Sequence, residues 1–239
     1  MIRASFITSP AFFYFSKAEM FNAVNHNLEQ AARAVFMSWF VDFKPWGGKM
    51  PSEWNNGVLS DICSYRTEKK LTSELSLQTY ISTENMSPNR SGFVDAVSLP
   101  STLYATKCCP GDILVSNIRP YFKKLTYCFF DGGCSNDVLC LASKDSVLSA
   151  YLYFVLYDDS FFDFMVAGSK GTKMPRGDKK QIMNYPIVTA TEKLHEEFAE
   201  LVFPMLNQIS VHRSDSKKLS TLRDVLLPRL MSGDVAIGS

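Results

Sequence analysis

A long amphipathic segment near the start of the chain limits the possible folds of this protein more than any other feature. The segment covers residues 16–45, SKAEMFNAVNHNLEQAARAVFMSWFVDFKP. Its apolar residues recur at steps of three and four, which predicts one helix with a single apolar face. Ser16 followed by Glu19 is typical of a helix start, and Pro45 is typical of a helix stop. The predicted apolar face consists of Phe21, Val24, Leu28, Ala31, Val35, Trp39 and Phe43.

A second segment of the same kind lies near the other end of the chain, within residues 191–232. Thr189 and Glu192 have the spacing of a capping box, which places the helix start there. Pro204 should kink this helix or lie near its first turns, and Pro228 should end it. The predicted apolar face consists of Phe198, Val202, Met205, Ile209, Leu219, Leu222 and Leu226.

Between the two helices the sequence changes to alternating strands and turns. Strands are predicted at 58–66, 77–83 and 111–119, and in the runs LTYCFFD and VLCLAS, with a helix at 151–166. We therefore predict an α+β fold in which the long helices pack as an antiparallel coiled coil, because the chain must return after the domain. The predicted regions are a lead-in at 1–15, the first helix at 16–45, a mixed α/β domain at 46–190, the second helix at 191–232 and a tail at 233–239.

Composition argues against several classes of protein. The net charge is +1 and 21% of residues are charged, so the chain as a whole is not a basic nucleic-acid binder, although charge can be concentrated locally. No run of 18 apolar residues occurs and the start lacks a clear signal-peptide cleavage site. We expect a cytoplasmic protein without a membrane partner, whose six cysteines are buried free thiols.

No motif predicts an active site. The cysteines form no C-x-x-C pair and the three histidines lie on the predicted helices, so we expect no metal ligands. The run Asn117-Ile-Arg-Pro-Tyr121 departs from the Asn-Pro-Pro-Tyr motif of amino-methyltransferases at Arg119, and residues 168–173 do not have the order of a phosphate-binding loop. We therefore predict no catalytic residues and no cofactor.

Positive charge is concentrated in loops of the central domain, although residues 51–190 are neutral in sum. No acidic residue occurs from Ile113 to Phe130, and Asp178 is the single acid among the basic residues of 168–180. Such loops suit phosphate contacts and base-edge reading, and the alternative is a set of solvated surface loops. The candidate DNA-binding residues are Arg66, Lys69, Lys70, Arg90, Arg119, Tyr121, Lys123, Lys124, Lys170, Lys173, Arg176 and Lys179.

Six stretches in this order make the chain resemble the specificity subunit of type I restriction–modification systems. They cover nearly the whole chain from about residue 20 onward. The stretches are LEQAARAVFMSWFVDFKP (28–45), PSEWNNGVLSDI (51–62), TYISTENM (79–86), GDILVSNIRPYFKK (111–124), GSKGTKMPRGDKKQIMNYPI (168–187) and LSTLRDVLLPRLMSGD (219–234).

The resemblance implies a protein that reads double-stranded DNA and does no chemistry itself. It implies a spacer helix, a target recognition domain and a second spacer helix, holding methylation subunits and, in the full complex, restriction subunits. Family members usually carry two recognition domains, whereas this chain has room for one. The expectation is therefore a half-length form that reads one half of a bipartite target, and the alternatives are a truncated gene product or one unit of a recombining cassette.

Two alternatives remain open from the sequence. One is a non-catalytic interaction protein that occupies methylation subunits without reading DNA. The other concerns assembly, because the chain can act as a monomer or form a homodimer in which Phe36 and Phe40 supply a second interface. His212 and Ser216 fall on the apolar face of the second helix, as satisfied polar positions or as partner contacts.

Overall fold

The computed structural model describes residues 10–232. The predicted tail at 233–239 and the first nine residues of the predicted lead-in lie outside the described residues. By compactness the chain divides into a helical unit, residues 10–35 with 201–232, and a domain, residues 36–200. No helix among the described residues is both long and apolar enough to cross a membrane.

Six α-helices occur in the described part of the chain. They are α1 (Pro10–Phe36), α2 (Leu59–Ile62), α3 (Leu148–Tyr157), α4 (Asp159–Ala167), α5 (Lys179–Met183) and α6 (Glu192–Met231). The mixed helix-and-strand class and the two long helices predicted from periodicity are confirmed. With 40 residues, α6 is about 60 Å long at the usual rise per residue.

The ends of the long helices differ from the prediction. α1 begins at Pro10, so Ser16 and Glu19 lie inside the helix rather than at its start. After Phe36 the helix widens into one π-turn, Met37–Val41, and the left-handed Phe43 (φ 52°) then redirects the chain. α6 begins at Glu192 as expected, but Thr189 belongs to a strand and is not its cap. Pro204 and Pro228 both lie inside α6, so Pro228 does not end the helix as predicted. Each proline removes one backbone hydrogen-bond donor from the helix.

The buried face of the helical unit differs by one position in α1 from the predicted apolar face, whose residues form the seam expected between the two helices. Ala32 is fully buried and Asn25 nearly so, whereas Val24 and Ala31 are exposed. In α6 the buried residues are Val202, Leu206 and Ile209. Leu222 is exposed, and the remaining predicted seam residues of this unit, Phe21, Leu28, Val35, Met205, Leu219 and Leu226, are half-buried.

Beyond Ile209 several polar contacts connect the two helices. His212 Nδ1 lies 2.8 Å from Asn25 Oδ1, and its ring stacks on Phe21 with 4.5 Å between centroids. Gln208 Nε2 lies 2.7 Å from His212 Nε2 and can only donate, so His212 donates from Nδ1 to Asn25. Arg213 and Glu29 form an ion pair at 2.8 Å. Because both ring nitrogens of His212 have hydrogen-bond partners within the chain, the structure favours a satisfied polar position over a partner contact for this residue.

Ten strands form three sheets in the domain. The strands are β1 (Asn55–Val58), β2 (Cys63–Tyr65), β3 (Lys69–Leu71), β4 (Tyr80–Ile81), β5 (Tyr104–Cys108), β6 (Ile113–Ser116), β7 (Leu125–Tyr127), β8 (Gly132–Cys134), β9 (Val138–Ser143) and β10 (Pro186–Thr189). The sheet orders are β1-β10, β2-β9-β6-β7 and β3-β5-β8-β4. Neighbouring strands are antiparallel, except that β4 and β8 run parallel.

The two four-stranded sheets enclose a core rich in cysteine. All four residues of β6 are buried, since α3 packs on one face of its sheet and the second sheet covers the other. This explains the continuous apolar run ILVS at the centre of a sheet. Five of the six cysteines are buried, and burial raises the pKa of the Cys63 thiol to about 12. The core between the sheets consists of Ile81, Met86, Cys108, Leu114, Cys128, Cys134, Val138 and Cys140.

Two predicted elements are each broken by an aspartate. The strand predicted at 58–66 is interrupted by α2, whose first turn is capped when Asp61 Oδ2 accepts from Val58 N at 2.7 Å. The helix predicted at 151–166 is divided into α3 and α4 at Asp158, which accepts from Ser160 N at 3.0 Å. Both side chains offer the backbone a local hydrogen bond that competes with a regular element.

An aromatic core joins the first long helical segment to the rest of the domain. Phe36 contacts Phe198, and Phe40, which is later in the first segment, contacts His195, which is earlier in α6. The two segments therefore run antiparallel. Trp39, which belongs to the predicted apolar face of the first helix, lies against Phe198. Phe36 and Phe40 are buried inside this domain, which corrects the expectation that they supply a second interface.

We expect the protein to lose stability between about pH 6.5 and pH 4 because of His195. Its side chain is 3% exposed and stacks on Phe40 at 5.5 Å, and burial lowers its pKa to about 4. The unfolded chain binds a proton near pH 6.5 that the folded chain does not, so this contribution is complete above that pH and is lost as pH falls. The difference is worth up to about 3 kcal/mol. Urea unfolding at pH 7 and pH 4.5 should show a smaller loss for His195→Phe than for the unaltered protein.

Candidate nucleic-acid interface

Three loops from distant parts of the sequence meet on one side of the domain. They are residues 87–92, 117–124 and 169–178, called here the three-loop surface. Asn89 N donates to Phe122 O at 2.9 Å and Arg90 N donates to Lys123 O at 2.9 Å, which ties the first loop to the second. Arg119 N donates to Pro175 O at 2.8 Å, which ties the second to the third. The loops are thus held by backbone bonds that do not depend on side-chain identity.

The turn at the centre of this surface contains strained backbone. Arg119 and Lys123 have left-handed conformations, with φ of 50° and 51°, on either side of a single 3-10 turn at Pro120–Phe122. Non-glycine residues adopt this conformation rarely, and they cluster where a protein must present side chains in a fixed direction. Asn89 and Arg90 in the neighbouring loop are also left-handed.

Six of the candidate cations are paired with carboxylates. Arg66 binds both oxygens of Asp112, at 2.7 and 3.0 Å, and this hydrogen bonding raises the pKa of Arg66. Lys70 pairs with Asp131 at 3.1 Å. The others are Arg90 and Lys123 with Asp159, Lys170 with Asp178, and Arg176 with Asp137.

Two of these pairs belong to the scaffold rather than to an open surface. Asp112 has a side chain only 3% exposed, so Arg66 neutralises a buried charge. Arg90 is 13% exposed and its guanidinium lies over Tyr157 at 4.8 Å and Phe162 at 5.2 Å. Hydrogen bonds from Lys123 and Arg90 lower the pKa of Asp159 to about 2. Arg90 and Lys123 therefore anchor the three-loop surface to α4.

The other candidate cations have no carboxylate partner among the described residues. Lys69 Nζ donates to Thr106 Oγ1 at 3.0 Å, and Lys179 Nζ lies 5.8 Å from the Tyr65 ring. Lys124 Nζ donates to Thr83 O at 2.6 Å, and burial lowers the pKa of this lysine. Lys173 is exposed, and Arg119 is half-buried with its Nε unpartnered. Lys173 and Arg119 can therefore bind an anionic ligand without first breaking an ion pair within the described part of the protein.

A cleft of about 340 Å³ lies next to the three-loop surface. Arg66, Lys69 and Lys179 contribute to its lining, together with Asn136. The following residue, Asp137, pairs with Arg176 and accepts from Asn117 N at 2.8 Å, which connects the cleft to the loops. The domain therefore brings basic residues from three sequence clusters into one neighbourhood.

Two side chains at this surface were not among the candidates. Phe122 is 40% exposed beside Tyr121, and its position next to a named candidate was the only signal in the sequence. Asn117 is 7% exposed, yet its Oδ1 has no partner. A buried amide oxygen without a hydrogen bond lowers the stability of the folded protein. The position of Asn117 Oδ1 beside the basic loops therefore fits a site in which a ligand supplies the missing hydrogen bond.

No group of three or more His, Cys, Asp or Glu side chains within residues 10–232 is placed to hold a metal ion. His195 packs against Phe40, and His212 forms a hydrogen bond with Asn25 between the two long helices.

Comparison with known proteins points to one family. No family model matches the chain. The type I restriction enzyme EcoDI specificity subunit of Escherichia coli is 32% identical over 79 residues, which are 33% of this chain and 17% of that protein. The type I restriction–modification S subunit of M. genitalium has the same fold, with a TM-score of 0.62 and 15% identity over 92% of this chain.

These comparisons confirm the resemblance to type I specificity subunits, in sequence over part of the chain and in fold over most of it. The HsdS subunit of Thermoanaerobacter tengcongensis is a more distant structural match, at a TM-score of 0.47 and 13% identity. This chain spans 58% of the M. genitalium S subunit, and the matched stretch spans 17% of the E. coli protein.

Proposed function

We propose that the chain reads DNA as a specificity subunit with one target recognition domain, residues 46–190, between spacer helices at 16–45 and 191–232. The proposal is supported above all by the three-loop surface, in which two bonded loops carry Arg119 and Lys173, neither with a carboxylate partner among the described residues. A cation that is not neutralised within the protein can displace counterions from DNA phosphates and so contribute to affinity. The domain supplies recognition, and it requires no reaction step of its own.

We further propose that the helical unit docks methylation subunits, and through them restriction subunits in the full complex. Its helices leave large apolar side chains exposed along their length. These are Met20 at 53%, Leu201 at 43%, Val211 at 52%, Leu222 at 48% and Val225 at 50% exposure. Surface of this kind on long paired helices is suited to further helices from a partner.

The DNA-reading proposal is tested by selection from random duplexes, using the chain together with its methylation subunit. Enrichment of one sequence is the expected result. Failure to enrich any sequence, while the complex still forms, would favour the alternative of an interaction protein that occupies methylation subunits. Methyl transfer by the isolated chain would contradict its assignment as a subunit without catalytic residues.

Lys173→Ala and Arg119→Ala should weaken DNA binding in different ways. Lys173 is an exposed point charge, so its loss should weaken all duplexes alike and reduce the salt slope by about one unit. Arg119 sits on a fixed backbone, so its loss should cost about 1–3 kcal/mol of discrimination at one base position. Binding to the selected duplex and to a scrambled duplex at several salt concentrations separates the two effects.

A matched control for these variants is Lys193→Ala on α6, which is exposed and pairs weakly with Glu197 at 3.8 Å. This variant should leave affinity, selectivity and salt slope unchanged. Equal losses in Lys193→Ala and Lys173→Ala would show that only overall charge matters, and would remove the three-loop surface from the proposal.

Self-association is the natural way for one recognition domain to serve a two-part target, so we expect a symmetric dimer that reads an inverted repeat. The exposed apolar residues of α6, rather than Phe36 and Phe40, are the surface available for it. Light scattering should give twice the chain mass for the unaltered protein and the monomer mass for Leu222→Glu. One copy of the chain per complex with methylation subunits would contradict the dimer.

A further inference from the structure

We propose that Tyr121 and Phe122 form an aromatic wedge that inserts between neighbouring base pairs of the bound DNA. The inference rests on the proposed DNA-reading function and adds a deformation of the duplex to it. The two rings are 50% and 40% exposed at the tip of the central turn, with 4.8 Å between centroids and planes inclined by 54°. Two adjacent exposed aromatics on one rigid turn form an apolar projection of the kind that marks a binding site.

The turn that carries the rings is held tightly at its base. Phe122 N donates to Arg119 O at 3.0 Å and Lys123 N donates to Pro120 O at 2.8 Å, while Pro120 itself is buried. Left-handed residues flank the turn on both sides and fix the direction in which the tip points. A projection must resist bending if it is to separate stacked bases, and this backbone meets that requirement.

An ion-paired clamp secures the turn from below. Asp159 accepts hydrogen bonds from both Lys123 and Arg90, and Arg90 is sandwiched against Tyr157 and Phe162. Backbone bonds from Asn89 and Arg90 to Phe122 and Lys123 complete the attachment. The base of the turn is thus fixed to the domain, whereas the Tyr121 ring contacts only its neighbour among the described aromatic rings.

Charge around the wedge favours nucleic acid over a protein partner. Arg119 immediately precedes the turn without a carboxylate partner, and Lys124 Nζ lies 6.0 Å from the Phe122 ring centroid. No acidic residue occurs from Ile113 to Phe130. Proteins that insert apolar side chains between base steps also contact the DNA through Arg and Lys, and here Arg119 and Lys124 lie next to the two rings in the chain.

The probe is the duplex selected by the unaltered complex, made as a series in which 2-aminopurine replaces one adenine at a time. This base fluoresces more strongly when it is unstacked. The complex of the full chain with its methylation subunit should raise the fluorescence at one step and leave distant positions unchanged. The double variant Tyr121→Ala, Phe122→Ala should abolish the rise and weaken binding about tenfold.

Two further variants separate insertion from loss of fold. Phe122→Leu keeps an apolar side chain and should retain most of the fluorescence rise. Tyr104→Ala removes an aromatic that is 54% exposed on β5 and should leave both fluorescence and affinity unchanged. All three variants alter exposed side chains, so their urea unfolding curves should match that of the unaltered protein.

Each remaining result overturns the wedge in a recognisable way. Tight binding without a fluorescence change at any position removes the wedge and leaves the DNA-reading function standing. Failure of the unaltered complex to select any duplex removes the function and the wedge together. A double variant that binds and unstacks DNA normally, but no longer retains the methylation subunit, assigns the two rings to protein docking.

Discussion

Arg66→Ala is expected to lower the free energy of unfolding by about 3–5 kcal/mol, although Arg66 lies in a basic cluster that resembles a DNA contact. Its guanidinium binds both oxygens of Asp112, whose side chain is 3% exposed. The same carboxylate accepts from Cys109 N at 2.8 Å and from Cys140 Sγ at 3.4 Å. Removing the arginine leaves a buried charge without its cation, and the two weaker donors cannot replace it.

Urea unfolding of Arg66→Ala beside Lys170→Ala is the measurement. Lys170 also pairs with an aspartate, at 2.9 Å, but its side chain is 82% exposed, so its loss should change stability by less than about 1 kcal/mol. If Arg66→Ala were as stable as the unaltered protein and bound DNA weakly, Arg66 would be a DNA contact, as the sequence suggested. Adding Asp112→Asn to Arg66→Ala should restore part of the lost stability.

Phe40→Ala is the second large effect, at about 3–5 kcal/mol. The ring is 3% exposed and packs against Tyr151 at 4.7 Å, Phe198 at 5.2 Å and His195 at 5.5 Å. These neighbours come from two elements, α3 and α6, that cannot both move inward, so the variant should leave a cavity where α3 and α6 meet the π-turn.

The adjacent residue provides the matched control. Val41 lies on the same π-turn but is 44% exposed, and Val41→Ala should change the unfolding free energy by only a few tenths of a kcal/mol. A loss of about 1 kcal/mol or less in Phe40→Ala would show that the aromatic core repacks. Phe40 would then contribute little to the stability of the domain.

Periodicity predicted the long helices because the spacing of apolar residues along a helix is the same whatever the helix packs against. It placed the face of α1 one residue off, choosing Val24 and Ala31 where the structure buries Asn25 and Ala32. An apolar scale counts asparagine as a surface residue, and it cannot see that Asn25 is satisfied by His212, far away in the sequence. Local turn chemistry caused two further misses, since Asp61 and Asp158 each break an element that an apolar pattern would continue.

The basic clusters show a different limit of sequence reasoning. Counting charges along the chain treats Arg66, Arg90 and Lys123 as free, because their partners Asp112 and Asp159 lie outside their clusters. The fold neutralises these cations, whereas Arg119 and Lys173 have no carboxylate partner within residues 10–232. Sequence alone therefore indicated which loops carry charge, and only the fold distinguishes the cations that brace the loops from those that can meet a ligand.

The short ribbon of β1 and β10 makes the domain a closed module. Asn55 pairs with Thr189, whose Oγ1 donates to Asn55 O at 3.1 Å, so the first and last strands of the domain lie side by side. Chain ends about 5 Å apart are the geometry that tolerates insertion and exchange of whole domains. A different domain that closes on the same two-strand clasp could be exchanged here without changing the flanking helices, so the proposed DNA recognition could evolve by replacement of the whole domain, independently of the proposed docking.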